Sequence, residues 1–172
     1  MQLIIIVAIA AIILFIFLYT PNTVTSHWQH FFDGLQFSAD EFYKQVTDGL
    51  NERKITGITL DKESFLQSHL FSDRRVYLRI TQHEYIFYVC AAPFATGMFV
   101  SWWLCIEDEG IIERIPVLSR LLGKDRKNKT FYQMDTEAMY KSAIHTIVTN
   151  TAEDIASTNG VKGLSDFERQ FK

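Results

Sequence analysis

Three groupings in this 172-residue chain hold the residue types from which catalytic or metal sites are made. His27 and His30 stand at i and i+3, with Asp33 one turn further on. On a helix that spacing would put both imidazoles on one face, the beginning of a metal or haem site. No third ligand stands at a recognisable spacing, so two surface histidines are the simpler reading. Cys90, taken with His83 or His145, offers a thiol and a base for a Cys–His hydrolase. A nucleophilic thiol needs an electropositive and accessible setting, whereas Cys90 stands in an apolar run that predicts a dry strand. Glu107-Asp108-Glu109 reads as a solvated turn, because no further oxygen ligands follow at a calcium-site spacing. The sequence has no phosphate-cradling Gly-rich loop, nucleophile elbow, Cys-x-x-Cys or His-Glu-x-x-His. It therefore calls for no cofactor, and an enzyme is the weaker reading.

The stretch that would position everything else is at the start. Residues 3–18 are all apolar, and Tyr19 adds an amphipathic ring suited to a membrane interface. As a helix this segment rises roughly 26 Å, close to the ~30 Å of a bilayer's hydrocarbon core. Leu3, Ile9, Ile13, Phe17 and Tyr19 are the expected membrane-anchor residues. Only Met1 and Gln2 precede the run, and no Ala-x-Ala follows it, which favours an uncleaved anchor over a removable signal. No Lys or Arg occurs before Lys44, so all the positive charge lies after the span. That distribution, together with two cysteines expected to be unpaired, predicts a single-pass membrane protein with a cytoplasmic C-terminal domain.

The organisation expected is an anchor over residues 1–20, a juxtamembrane linker over 21–37 and a soluble α+β domain over 38–172. In the linker, Trp28 reads as part of an interfacial aromatic belt. Ser38 and Glu41 form a capping-box pattern, and Phe42, Val46 and Leu50 recur every four residues, predicting a helix over 39–53. Strands are expected at 55–60, 75–82 and 85–91, with a tight connection at His83-Glu84. A short helix or loop is expected over 65–71. A further edge strand is expected at 130–134, then a long helix capped by Asp135 and ended by Asn159-Gly160. Met139, Ala143, Ile147, Thr151 and Ile155 form its apolar stripe, with His145 beside it as a structural histidine. The tail after Val161 either docks or frays.

Residues 85–106 carry no formal charge, so length and hydropathy permit a second membrane span. The Tyr, Ile, Phe, Val and Trp at both ends, and Pro93 and Gly97 between them, favour two buried antiparallel strands turning near Ala95. Cys90 and Cys105 would then lie several residues out of register, too far apart for a disulfide. A short helix with Pro116 in its first turn and its end at Gly123 presents Val117, Leu118, Leu121 and Leu122. It is followed by a basic surface of Lys124, Arg126, Lys127 and Lys129, with Arg120 before it. An apolar ridge beside clustered positive charge resembles a surface that meets anionic headgroups, although an ordinary solvated loop fits it equally well.

The fold class expected is α+β: a single N-terminal transmembrane helix, then an antiparallel sheet of four or five strands covered by two long helices. The function expected is that of a non-enzymatic, membrane-anchored accessory or adaptor subunit. Its partners would be the lipid bilayer and larger membrane proteins, with no nucleic acid, and Trp28, Phe94, Trp102 and Trp103 would supply contact surface. One alternative is a membrane-tethered enzyme or metal-dependent module using His27 and His30 or Cys90. The other is a lipid-contacting domain that uses residues 92–103 and 124–129.

Overall fold

A computed structural model describes residues 23–66, 74–106 and 129–171. Among them the chain runs β1 (Thr23–Phe32), α1 (Ala39–Glu52), β2 (Thr59–Leu66), β3 (Arg74–Gln82), β4 (Tyr85–Phe94), β5 (Gly97–Ile106) and α2 (Phe131–Thr158). The strands form one five-stranded antiparallel sheet in the order β1-β5-β4-β3-β2. The protein is therefore α+β, with two helices on one face of the sheet. The expected anchor, the acidic turn at 107–109 and the segment from Ile111 through Arg120 to Lys127 lie outside the described residues. Among the described residues no helix is long and apolar enough to cross a membrane.

Local sequence accounts for the meander from β2 to β5. In β3 the buried Leu78 and Ile80 alternate with half-buried Tyr77, Arg79 and Thr81, the pattern of a strand with one face on the core. The uncharged stretch 85–106 is the hairpin β4–β5, turning at Ala95-Thr96 between the paired Phe94 and Gly97. Gly97 is required there: a Cβ would stand 2.1 Å from the carbonyl oxygen of Phe32 on β1. Cys90 pairs with Ser101 and Cys105 with Ile86, so the two thiols are four residues out of register and both free.

Helix α1 buries Phe42, Tyr43, Val46 and Leu50, one stripe of a 3.6-residue period. Its start at Ala39 follows the sequence reading, but the expected capping box is not made, for the Ser38 side chain forms no cap hydrogen bond. At its other end, Lys54 N–H bonds to the Asn51 carbonyl and Ile55 N–H to the Leu50 carbonyl. Lys54 holds φ +51° to allow this, in the left-handed cap position usually filled by glycine. Helix α2 ends in the same motif with Gly160 at φ +69°, as Asn159-Gly160 predicts. The side chains of α2 are buried only from Ile144 onward, and Met139, expected on the stripe, is exposed.

Three expectations give way. Residues 130–134 are not an edge strand but the N-terminus of α2. Thr130 Oγ1 accepts from Gln133 N–H and Gln133 Oε1 accepts from Thr130 N–H, which displaces Asp135 as the cap. The strand expected at 55–60 starts at Thr59 and runs on to Leu66, through the first residues of the expected short helix. The segment 21–37, expected to be a linker, contains β1, whose Trp28 and Phe32 are core residues.

One core contact ties the layers together. Backbone pairing between β3 and β4 runs from Gln82–Tyr85 to Leu78–Val89. Beyond it the Tyr43 hydroxyl of α1 donates to the Val76 carbonyl at 2.7 Å and accepts from Ala91 N–H at 3.1 Å. A helix side chain thus bridges the two strands where their own ladder ends.

Candidate functional site

Strand alternation sends the even-numbered residues of β4 and the odd-numbered residues of β5 to the face away from the helices. Register then places His27, Trp103, Tyr88, Arg79 and Asp61 in one row across all five strands. Gln29, Ser101 and Cys90 begin a second row beside it. His27 stacks on Trp103 at 4.8 Å with 12° between the rings. Phe65, Tyr77 and Tyr88 make a ring of edge-to-face contacts at 5.4, 5.4 and 6.3 Å.

An antiparallel sheet covered on one side usually shows water a polar second face. This one does not. Ile86 and Cys90 are each 1% exposed, and Ile86, Tyr88 and Cys105 form an apolar centre against which Tyr77 and Trp103 pack. The rim is polar and more open: Arg79 Nε lies 3.7 Å from Glu63 Oε2, beyond hydrogen-bond reach. Among the described residues, buried side-chain polar atoms left without a hydrogen-bond partner are Glu63 Oε2, Arg79 Nε, Ser101 Oγ and Gln82 Oε1. The first three lie on this face. Glu63 Oε2 and Arg79 Nε face each other as an ion pair at 3.7 Å, and Ser101 is buried beside Cys90 across the β4–β5 ladder.

The chemistry of the face is that of contact rather than covalent attack. Burial pushes the Cys90 thiol above its ordinary range, opposed by Arg75 and by a hydrogen bond from Tyr77. A thiol held protonated is a poor nucleophile. His83 sits in the β3–β4 turn and His145 on the opposite side of the sheet, so neither forms a pair with Cys90.

His27 and His30 are on a strand rather than a helix, and an odd spacing on a strand points them to opposite faces. His27 is in the outer row, while His30 faces the helical side, its ring edge against Phe32 at 4.6 Å. The shared face that i, i+3 spacing would give on a helix is therefore not formed. Among the described residues no three His, Cys, Asp or Glu side chains are grouped to hold a metal ion.

On the helical side a second aromatic cluster is closed by the C-terminal tail. Trp28 Nε1 donates to the Glu168 carbonyl at 2.6 Å, and Trp102 Nε1 donates to His145 Nδ1 at 3.1 Å. The His145 ring also donates to the Arg169 backbone, and Phe171 packs on it at 4.9 Å. Burial lowers the pKa of His145 and of His30, so both rings are neutral and structural. His145 thus fills the role its position beside the stripe predicts, and the tail docks.

Of the residues expected to offer contact surface, Trp28 and Trp102 are in the core, Trp102 completely so. Their indoles serve hydrogen bonds inside the fold. Trp103 is on the outer face, and Phe94 projects from the β4–β5 tip. Lys129 is exposed and pairs with Glu137. Sequence reading missed Glu63, Tyr77, Arg79 and Ser101 as site residues. The only advance sign was the alternation of β3, which already set Tyr77 and Arg79 apart from Leu78 and Ile80.

Neither a protein-family model, nor a curated protein, nor a solved structure matches this chain.

Proposed function

We propose that this protein is a non-enzymatic, membrane-anchored accessory subunit that presents its α+β domain to a larger membrane complex. Residues 3–19 would be the anchor and the outer sheet face the contact surface. The observation that carries the reading is the open margin of that face: exposed Phe65 and partly exposed Tyr77 and Trp103 beside the Glu63–Arg79 ion pair, around a buried apolar centre. Such a composition, with aromatic and Arg side chains around a dry centre, is that of a protein interface. The unpaired cysteines and the placing of all Lys and Arg after residue 43 support a cytoplasmic domain.

The test is the size of the particle in mild detergent. The full-length chain is expected to purify in a stoichiometric assembly of higher mass, and a Phe65→Asp or Arg79→Glu substitution is expected to release it. Phe65 is an exposed rim residue, so its loss disturbs contact without disturbing the core. A chain that extracts alone, monomeric, and is unchanged by either substitution refutes the reading.

A further inference from the structure

Helix α2 is longer than the sheet it covers. Its 28 residues rise about 42 Å, against about 33 Å for a ten-residue strand. The excess is all at the N-terminal end, where Phe131 is 83% and Tyr132 79% exposed, with Met134 and Met139 also open to solvent. Two adjacent, nearly bare aromatics at a helix start stabilise nothing inside this fold.

Their place in the fold identifies what they meet. The Tyr85 hydroxyl donates to the Gln133 carbonyl at 3.2 Å, which fixes the first turn of α2 to the start of β4. Tyr85 pairs with Ile106, and Ile106 pairs with Thr23, the first residue of β1. The overhang therefore stands at the end of the sheet into which residues 3–19 lead. Four residue steps separate Tyr19 from Thr23, a reach of at most about 14 Å. The exposed Phe94 of the β4–β5 tip is at the other end, about 30 Å away along β5.

We propose that the first turn of α2, through Phe131 and Tyr132 with Met134 beside them, rests in the headgroup region of the bilayer that holds residues 3–19. Aromatic rings favour that layer. Lys124, Arg126 and Lys127 precede the turn in sequence and suit anionic headgroups, while Lys129 is paired with Glu137. Acidic side chains at this end include Glu84, Asp135 and Glu137, the last paired with Lys129, and Glu107-Asp108-Glu109 directly follow Ile106 in sequence. The domain would then stand on two points, the anchor and the helix end, with its outer sheet face held at a fixed orientation to the membrane. This inference rests on the anchor reading above.

The experiment places a spin label at Phe131→Cys, Tyr132→Cys or Phe94→Cys in the full-length chain, in nanodiscs of phosphatidylcholine and phosphatidylglycerol. Cys90 and Cys105 are buried, and unsubstituted protein supplies the labelling background. Labels at 131 and 132 are expected to relax more with oxygen than with a water-soluble nickel chelate, and the label at 94 the reverse. Labels at 131 and 132 that respond to nickel as 94 does overturn the proposal. So do labels shielded from both reagents, which would mean a protein contact. A chain that alkaline carbonate strips from the bilayer refutes the anchor reading itself, and this inference with it.

Discussion

Replacing Tyr43 by Phe removes one oxygen atom and leaves the packing intact, so its effect isolates the bridge between β3 and β4. The ring is 1% exposed and its phenyl analogue fills the same space, which excludes a cavity contribution. What is lost is polar. Ala91 N–H, on a buried residue, loses its acceptor and finds no water, a loss of ~1–2 kcal/mol. The Val76 carbonyl loses its donor but belongs to an exposed residue that water can reach, so its share is below about 1 kcal/mol. The sum is ~2 kcal/mol, or a fall in Tm of about 4–8 °C for a domain of this size. Burial pushes the Tyr43 hydroxyl far above the ordinary phenol range, so the bridge persists through mildly alkaline buffers. Urea unfolding of the detergent-solubilised chain reads the stability, and hydrogen exchange at Ala91 reads the bridge. Because Val76 adjoins Tyr77 and Ala91 adjoins Cys90, loosening the bridge is also expected to raise maleimide reactivity at Cys90. Tyr132→Phe, on an exposed ring, serves as the control and is expected within ±0.5 kcal/mol. A Tyr43→Phe protein as stable as the control, with Ala91 still protected, refutes the bridge.

Three other outcomes follow from the backbone and the histidines. Lys54→Gly relieves a side chain held at φ +51° in the α1 cap and is expected to stabilise by about 1 kcal/mol in the same urea assay; a loss of stability refutes the strain. Gly97→Ala puts a Cβ 2.1 Å from the Phe32 carbonyl and is expected to destabilise by ~1–3 kcal/mol, with exchange quickened along β1; wild-type stability would mean the strands separate freely. His30 and His145 are both held below the ordinary histidine pKa by burial, with Glu168 and the Arg169 backbone opposing. The unfolded chain therefore takes up more protons, so their contribution is whole above pH ~6.5 and falls as the pH drops below it. Tm measured from pH 7.5 to 5 is expected to fall below pH ~6.5; a level or rising curve refutes the neutral-histidine assignment.

The parts of this fold legible in sequence were those in which one local pattern decides. Phe42, Val46 and Leu50 allow only a helix, and the alternation around Leu78 and Ile80 allows only a half-buried strand. Pro93 and Gly97 resolve an uncharged run into a hairpin. Elsewhere two patterns competed. Thr130-Phe131-Tyr132 are strand-formers by propensity, yet Thr130 and Gln133 carry the reciprocal cap that starts a helix, and the side-chain-to-backbone hydrogen bonds of the cap prevailed. In β1 both alternating sets contain aromatics and histidines, Trp28 and Phe32 on one side and His27 and Phe31 on the other, so no period stands out. Trp102 and Trp103 look equivalent as neighbours, but a strand sends one into the core and the other to the outer face. The outer face itself was illegible for a physical reason: it is assembled from single residues on five strands, and register, which sequence does not state, brings them into rows.

The topology gives β1 a particular burden. It comes first in the chain but pairs with β5, so its partner exists only after α1 and the rest of the sheet have been made. Until then Trp28 and Phe32 have no core to enter, and long-range pairing of this kind closes late. Its other edge stays unpaired among the described residues, and the irregular register between Val24 and Ser26 is the device by which such an edge resists further pairing. The tail adds side-chain contacts to this strand, since the Glu168 carbonyl accepts from the Trp28 indole and its carboxylate stands beside His30. Both termini thus converge on one strand: the apolar segment leads into it, and the C-terminal tail holds it from the core side. If residues 3–19 are fixed in a bilayer as proposed, any pull reaches the domain along the axis of β1. Antiparallel hydrogen bonds lie across that axis, so the β1–β5 ladder takes the load on many bonds together instead of opening one by one. An anchor fused to the end of a long edge strand can therefore hold the domain against a partner, although that strand is the last to find its place.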